Sequence, residues 1–288
     1  MSVLNRIMIP GLAKPYDVAI VAVPYYATGN IYINFDGSMS WSTYALVGST
    51  NNAMYAALAK ECVLIGRSGS AQSKVEYSTN LLVNRAQAPA NYGYSQCVAI
   101  SDDGNVLASL FGSTGKFQIS TNKGASWSYG SPGFSNGLGL AMKSDGSKIW
   151  ATNTGDSRIY YSTDYGQTWS NTGILISGYV LNAIGVSSDG TYIYAGLRNY
   201  GDRMIMSSDG GANWNTVLVG TRTTGTSAVN MSCSASGQYV FFHTLAQNYV
   251  SNDYGQTWTR VLSAYPYTYS YNRCVSCSGK YMVIGDYS

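Results

Sequence analysis

The stretch Ser162-Thr-Asp-Tyr-Gly-Gln-Thr-Trp169 constrains this chain more than any other, because it comes back at a fixed interval. It returns almost unchanged as Ser251-Asn-Asp-Tyr-Gly-Gln-Thr-Trp258. Looser copies are Ser207-Ser-Asp-Gly-Gly-Ala-Asn-Trp214, Ser120-Thr-Asn-Lys-Gly-Ala-Ser-Trp127 and Asn34-Phe-Asp-Gly-Ser-Met-Ser-Trp41. The closing tryptophans are separated by 86, 42, 45 and 44 residues, and the first gap is two periods of 43. The absent copy is expected to end near residue 84, where Ser78-Thr-Asn-Leu-Leu-Val-Asn-Arg85 stands as a degenerate box. Five of the six tryptophans occupy this one position. Self-similarity of this period marks a repeat architecture.

A second repeat runs in phase upstream of each box: Val98–Ala108, Leu140–Ala151, Ile184–Ala195, Met231–Phe242 and Cys274–Ile284. Each copy is an apolar run, a tight turn ending in Gly104, Gly146, Gly190, Gly237 or Gly279, and another apolar run. That is a hairpin signature, since glycine supplies the positive φ the turn requires. Each unit therefore reads as four strands, A to D, with the hairpin joining A to B and the box joining C to D. The fold class is all-β. Four strands per unit at this period predict a β-propeller, with six four-stranded blades and seven as the alternative. The chain ends on an A–B pair at residues 273 to 285. It opens with strand C and a box at Asn30 to Trp41, behind a weak hairpin at Asp17 to Tyr25. Pairing the two ends in one blade removes exposed edges. Residues 1–28 are read as an N-terminal segment available for attachment, and 29–288 as a single propeller domain.

The box Ser-x-Asp-x-Gly-x-Thr-Trp resembles the Asp-box, or BNR repeat, of sialidase-like β-propellers, and the likeness runs from about residue 30 to 285. The same box occurs in xyloglucan-degrading propellers, sortilin-type receptor domains and photosystem-assembly propellers, so the resemblance points to a fold more than to a function. A non-catalytic member is expected. In physical terms, Asp36, Asp164, Asp209 and Asp253 can accept hydrogen bonds from turn amides, as in an Asx-turn, and Asn122 can do the same without charge. Trp41, Trp127, Trp169, Trp214 and Trp258 are expected to fold back between sheets. These are structural residues by this reading, and the opposite face is where binding or catalysis belongs.

That opposite face is built from D–A and B–C loops rich in Tyr, Ser, Asn and Gly, a composition suited to adaptable recognition and to sugar rings. The candidate ligand-binding residues are Tyr92, Tyr94, Tyr129, Phe134, Arg198, Tyr200, Arg222, Tyr265 and Tyr267. A sialidase-like glycosidase is implied by the resemblance as an alternative. Its Arg-Ile-Pro motif is broken here, as Arg6-Ile-Met-Ile-Pro10, and the only glutamates are Glu61 and Glu76. Asp156 and Asp202 are the best carboxylate pair for such chemistry, yet their flanks look like ordinary loop. No catalytic residue is assigned, and the chain is expected not to be an enzyme.

Only 11% of the 288 residues are charged and the net charge is +3, with Lys and Arg scattered singly. A phosphate-binding stripe is missing from this pattern, so nucleic acid is not an expected partner. The longest apolar run, Val18 to Val23, is too short to cross a membrane, and the N-terminus has no signal-peptide pattern. Of the five cysteines, Cys274 and Cys277 form C-x-x-C, but His243 is the one histidine, so buried thiols are expected instead of a metal or redox site. No metal or cofactor is expected. Low charge and Tyr/Ser/Gly/Asn-rich strands fit a virion protein, such as a phage fibre, spike or capsid-associated component recognising a glycan or partner protein. A cellular lectin is the other non-catalytic alternative, with an extracellular or cytoplasmic location.

Overall fold

The computed structural model describes the strands below and the segments 75–80, 84–89, 95–112, 114–176, 178–198, 201–221, 228–244 and 247–261. Side-chain surroundings are described from residue 75 to 261 within those segments, apart from Val229, and at 55–57, 59 and 62–66. Every regular element among them is a β-strand.

In chain order, β1 is Leu4–Met8, followed by a sheet of β2 (Ile20–Ala22), β3 (Asn30–Asn34) and β4 (Ser42–Ala45). Five four-stranded antiparallel sheets follow. The first is β5 (Asn52–Ala59), β6 (Cys62–Ser68), β7 (Glu76–Ser78) and β8 (Ala86–Gln87). The second is β9 (Cys97–Ile100), β10 (Leu107–Phe111), β11 (Lys116–Ser120) and β12 (Ser128–Gly130). The third is β13 (Gly137–Met142), β14 (Ile149–Asn153), β15 (Arg158–Ser162) and β16 (Ser170–Asn171). The fourth is β17 (Val180–Val186), β18 (Ile193–Arg198), β19 (Arg203–Ser207) and β20 (Asn215–Leu218). The fifth is β21 (Ala228–Cys233), β22 (Val240–Thr244), β23 (Asn248–Ser251) and β24 (Thr259–Val261). The last sheet places β26 (Tyr281–Gly285) between β25 (Arg273–Val275) and β1.

Seven sheets are present among the described residues, where six blades, or seven as the alternative, were expected. The C-terminal hairpin does join an N-terminal strand, but that strand is β1, with Leu4 opposite Gly285 and Met8 opposite Tyr281. Asn30–Asn34 pairs instead with β2 and β4. β1 and β2 both precede residue 28. Neither carries a box, so the repeat could not register them.

Burial across each sheet explains the composition. The second strand has neighbours on both edges and sheets on both faces, so β10, β14 and β22 are buried throughout, with apolar residues leading and buried polar residues at the loop ends of β14 and β22. The fourth strand is outermost, and β12, β16, β20 and β24 are mostly exposed and polar. The core lies between sheets. Phe117, Ile119, Leu140 and Ile149 form one such layer, and Trp150, Leu181, Ile193 and Ile205 another. Each fully buried large apolar side chain contributes about 1.5–3 kcal/mol, against about 1 kcal/mol net for a hydrogen bond. Sheet-on-sheet packing is thus the larger stabilising term.

The inner first strands carry a recurrent β-bulge, between Ala53 and Tyr55, Gly137 and Gly139, Leu181 and Ala183, and Ala228 and Asn230. Successive A–B turns are strung together by backbone bonds from Asp102 N to Ser144 O (2.8 Å), Ser144 N to Ser188 O (2.9 Å) and Ser188 N to Ala235 O (2.8 Å). The Ser188 hydroxyl also lies 3.5 Å from Asp102 Oδ2, two sheets away, so these turns converge.

The boxes sit between third and fourth strands, as expected. In the box of β15 and β16, Ser162 Oγ donates to Asp164 Oδ1 and accepts from Gly166 N at 2.7 Å. Asp164 accepts from Thr168 N and Thr168 Oγ1, and the Trp169 indole donates to Gly166 O at 3.1 Å. Asn122 holds Ser126 N in the same manner. In the degenerate box, Asn80 accepts from Ser78 Oγ and Asn84 N, so the turn survives although Arg85 replaces the tryptophan. The Trp169 ring meets Phe117 and Phe134 edge-on at 5.3 and 5.8 Å.

Trp169→Ala removes these ring contacts and the indole bond. The expected loss is about 3 kcal/mol, at the lower end for large aromatic truncation because the ring is only half-buried. A urea titration reads it as a lower midpoint at unchanged slope; an unmoved midpoint would show that the tryptophan does not join the sheets.

Candidate functional site

Antiparallel pairing sends A–B and C–D turns to one end of the sheets and B–C and D–A loops to the other. The first end is tied together within sheets by Lys123 N to Asn105 O (3.0 Å), Gly210 N to Thr191 O (2.9 Å) and Tyr254 N to Gln238 O (3.0 Å). The second is tied between sheets by Asn136 N to Gly112 O (2.6 Å) and Thr154 N to Asn136 O (3.1 Å).

At the turn end, carboxylates are engaged by their own turns. Thr168 donors, with Ser162, hold the Asp164 carboxyl down at about 2. Donors from Asn213, with Ser207, hold Asp209 at about 2 as well. The A–B turns repeat the device, which the sequence pattern did not reveal. Asp189 accepts from Ser187 Oγ, Thr191 N and Thr191 Oγ1, and Asp103 accepts from Ser101 Oγ and Asn105 N. Asp209 and Asp253 sit in boxes built as that of Asp164 is, with the Trp214 and Trp258 indoles donating to Gly211 O and Gly255 O. Trp127 donates to Gly124 O likewise. The described box residues Asn122, Trp127, Asp164, Trp169, Asp209, Trp214, Asp253 and Trp258 thus make the turn. Asp36 and Trp41 lie outside the described residues.

At the loop end, Asp156 and Asp202 do not face a common cleft. Asp202 is fully buried and accepts from Tyr249 OH of the next sheet at 2.7 Å. Asp156 accepts from Asn153 Nδ2 (2.6 Å) and Tyr160 OH, with Arg158 Nε at 3.9 Å. Desolvation, then the bond to Asp156, pushes the Tyr160 phenol up to about 12. Both carboxylates serve as acceptors that hold tyrosines in place. His243 is 4% exposed, with Nδ1 2.9 Å from Asn248 Oδ1. Glu76 is buried in β7.

The ligand candidates separate. Arg198 ends β18 exposed on the loop face. Tyr129 is 45% exposed but lies on outer strand β12, opposite Gln118, rather than in a loop. Phe134 is 8% exposed and stacks on Tyr160 at 4.4 Å. Its ring is committed to the core, because Gly115 and Gly137 beside it leave room for the loop to turn inward. Tyr92, Tyr94, Tyr200, Arg222, Tyr265 and Tyr267 fall outside the described residues, as do Glu61 and Cys277, while Cys274 lies in β25 opposite Val283.

One loop-face feature is absent from the sequence reading. Lys116, Arg158 and Arg203 open strands β11, β15 and β19, each four residues before its box serine. Aligning the repeats on Ser120, Ser162 and Ser207 exposes it; reading cations one at a time does not.

No protein-family model matches the chain, and no curated protein does. Solved structures do. YCF48 from Cyanidioschyzon merolae is 14% identical, with 98% of this chain and 96% of that one covered and a TM-score of 0.70. YCF48 bound to D1 peptide is 13% identical, with 99% and 95% covered and a TM-score of 0.66. The GH74 enzyme of Niastella koreensis is 16% identical, with a TM-score of 0.58; 86% of this chain matches 38% of that one. These neighbours are β-propellers, and the likeness, at such identities, shows a propeller fold.

The turn carboxylates make stability depend on acid in a defined direction. Asp164 and Asp209 titrate near 2 when folded, below the unfolded value of about 3.9. Their contribution is complete above about pH 4 and is lost as pH falls toward about 2. Replacing both by Asn should flatten the dependence of the urea midpoint across that window; an unchanged slope would remove them as its source.

Proposed function

We propose that the chain is a seven-bladed propeller, closed by β1 on β26, that acts as a non-catalytic binding scaffold through its loop face. The observation that carries this reading is the engagement of Asp156 and Asp202 by Tyr160 and Tyr249. The carboxylates best placed for acid–base work are thereby structural, while exposed Arg198 and the half-buried Arg158 and Lys116 offer donors to a partner. Likeness to the Asp-box superfamily agrees with a shared scaffold carrying varied loops, and a similar propeller has been solved bound to a peptide. The low charge and Tyr/Ser/Gly/Asn-rich composition support a protein or glycan partner and a place on a virus particle.

Binding to glycan and peptide arrays tests the reading. A ligand found there should lose about tenfold in affinity, or about 1.4 kcal/mol, with Arg198→Ala, and keep its affinity with Lys123→Ala on the turn face. Equal loss from both would move the site away from the loops. Hydrolysis of a fluorogenic sialoside or xyloglucan, abolished by Asp156→Asn, would replace the scaffold reading with an enzyme.

A further inference from the structure

Strand C of successive sheets is electrically polar in a repeated way. It starts at the loop face with a cation, at Lys116, Arg158 and Arg203, and runs at the turn face into a box whose acceptor is Asp164, Asp209 or Asp253 in the third, fourth and fifth sheets. The cations occupy three consecutive sheets and the carboxylates three consecutive sheets, displaced by one. Both groups lie on the third strand from the inside, one at its beginning and the other just past its end. They therefore belong to the same strand of the sheet on opposite faces. The wider charge distribution points the same way. Among the described residues the turn face also holds Asp102, Asp103, Asp145 and Asp189, set against Arg85, Lys123, Lys143 and Lys148. At the loop face the two carboxylates are Asp156, already beside Arg158, and buried Asp202.

We infer that the partner fitted by both faces is a second copy of this chain, with the loop face of one copy stacked on the turn face of the next. Turning one copy by one sheet brings Lys116, Arg158 and Arg203 over Asp164, Asp209 and Asp253. Each box carboxylate is acceptor-only; three donors reach Asp164 and four reach Asp253 within their own turns, so a cation from outside is drawn by the net negative charge of the clasp and not by a vacant acceptor. The contact is heterologous, so each copy retains one loop face and one turn face, and copies add head to tail. A complementary pair of charged faces governs register and encounter rate more than affinity, and salt weakens it because the Debye length is about 10 Å at 0.1 M and about 3 Å at 1 M.

Sedimentation velocity on the purified full chain tests this. Association that grows with protein concentration at low salt is expected, weakening about tenfold or more toward 1 M salt. Two variants separate the faces: Lys116→Glu with Arg158→Glu on the loops, and Asp164→Asn with Asp209→Asn and Asp253→Asn in the boxes. Asn at this position already holds the turn at Asn80 and Asn122, and far-ultraviolet circular dichroism confirms that each variant is folded. Each variant alone should stay monomeric. An equimolar mixture should form pairs that do not grow, because one variant keeps an intact turn face and the other an intact loop face. A wild-type monomer at all salts, salt-independent association, or a mixture that fails to pair would overturn the proposal. Salt-sensitive binding of polyglutamate by a wild-type chain that stays monomeric would overturn it too, and assign the cations to an acidic peptide.

Discussion

Among the described residues, the second to fifth four-stranded sheets are each fastened to the one before by a glycine turn laid on a side chain of that earlier sheet. A Cβ at Gly166 would lie 2.2 Å from Phe117, one at Gly124 2.1 Å from Tyr77, and one at Gly104 2.4 Å from Cys62. The glycines also have positive φ, 78°, 86° and 73°, so conformation and close approach demand the same residue. The clasp around them serves this contact. Serine and aspartate satisfy the turn amides, which lets a polar turn lie on an apolar layer without the cost of unpaired groups. The tryptophan carries the turn's other side into the core.

The joints vary where the repeat allows it. Between the fourth and fifth sheets, Tyr192 stacks on Tyr254 at 4.7 Å, and Tyr194 OH donates to Gly237 O. Between the third and fourth, the equivalent of Tyr192 is Lys148 and that of Tyr254 is Gly210. There the ammonium lies 4.8 Å from the Trp150 ring and 4.7 Å from the Tyr161 ring, and donates to Gly210 O at 3.3 Å. Desolvation, with repulsion from Lys143, lowers its pKa. One position thus accommodates a stacked pair or a cation against two rings, provided its partner changes in step. That is how a repeat of low internal identity keeps one geometry.

These couplings decide what could be read from the sequence. The boxes and hairpins were legible because their hydrogen bonds are local: Ser162, Asp164, Gly166 and Trp169 lie within eight residues, so the pattern that makes the turn is also contiguous in the chain. The degenerate copy was legible for the same reason, through Ser78 and Asn80. The seventh sheet was legible only as an alternative, because β1 is defined by partners almost the whole chain away and has no local signature. The loop face was least legible. Phe134 sits among glycines, serines and a proline and looks available to a ligand, yet an aromatic gap bounded by Tyr160 and Trp169 draws it inward. Asp202 looks like an ordinary loop carboxylate, yet Tyr249 from the following sheet closes over it. Both facts depend on contacts between sheets, which no spacing rule encodes.

The polarity of strand C follows from the same division of labour. A turn that must accept several amide and hydroxyl hydrogens at once favours a carboxylate, because charge-assisted bonds are about twice as strong as neutral ones. Folding therefore concentrates negative charge at the clasp end. The loop end has no such demand, and cations there keep a chain with few charges near neutrality; the net charge of +3 conceals how far the two signs are separated. Where Asn122 replaces aspartate, the turn persists without contributing to that separation. Charge segregation is then a consequence of how the turns are held, and a surface with opposite signs on its two faces is available for recognition without any residue having been placed there for that purpose alone.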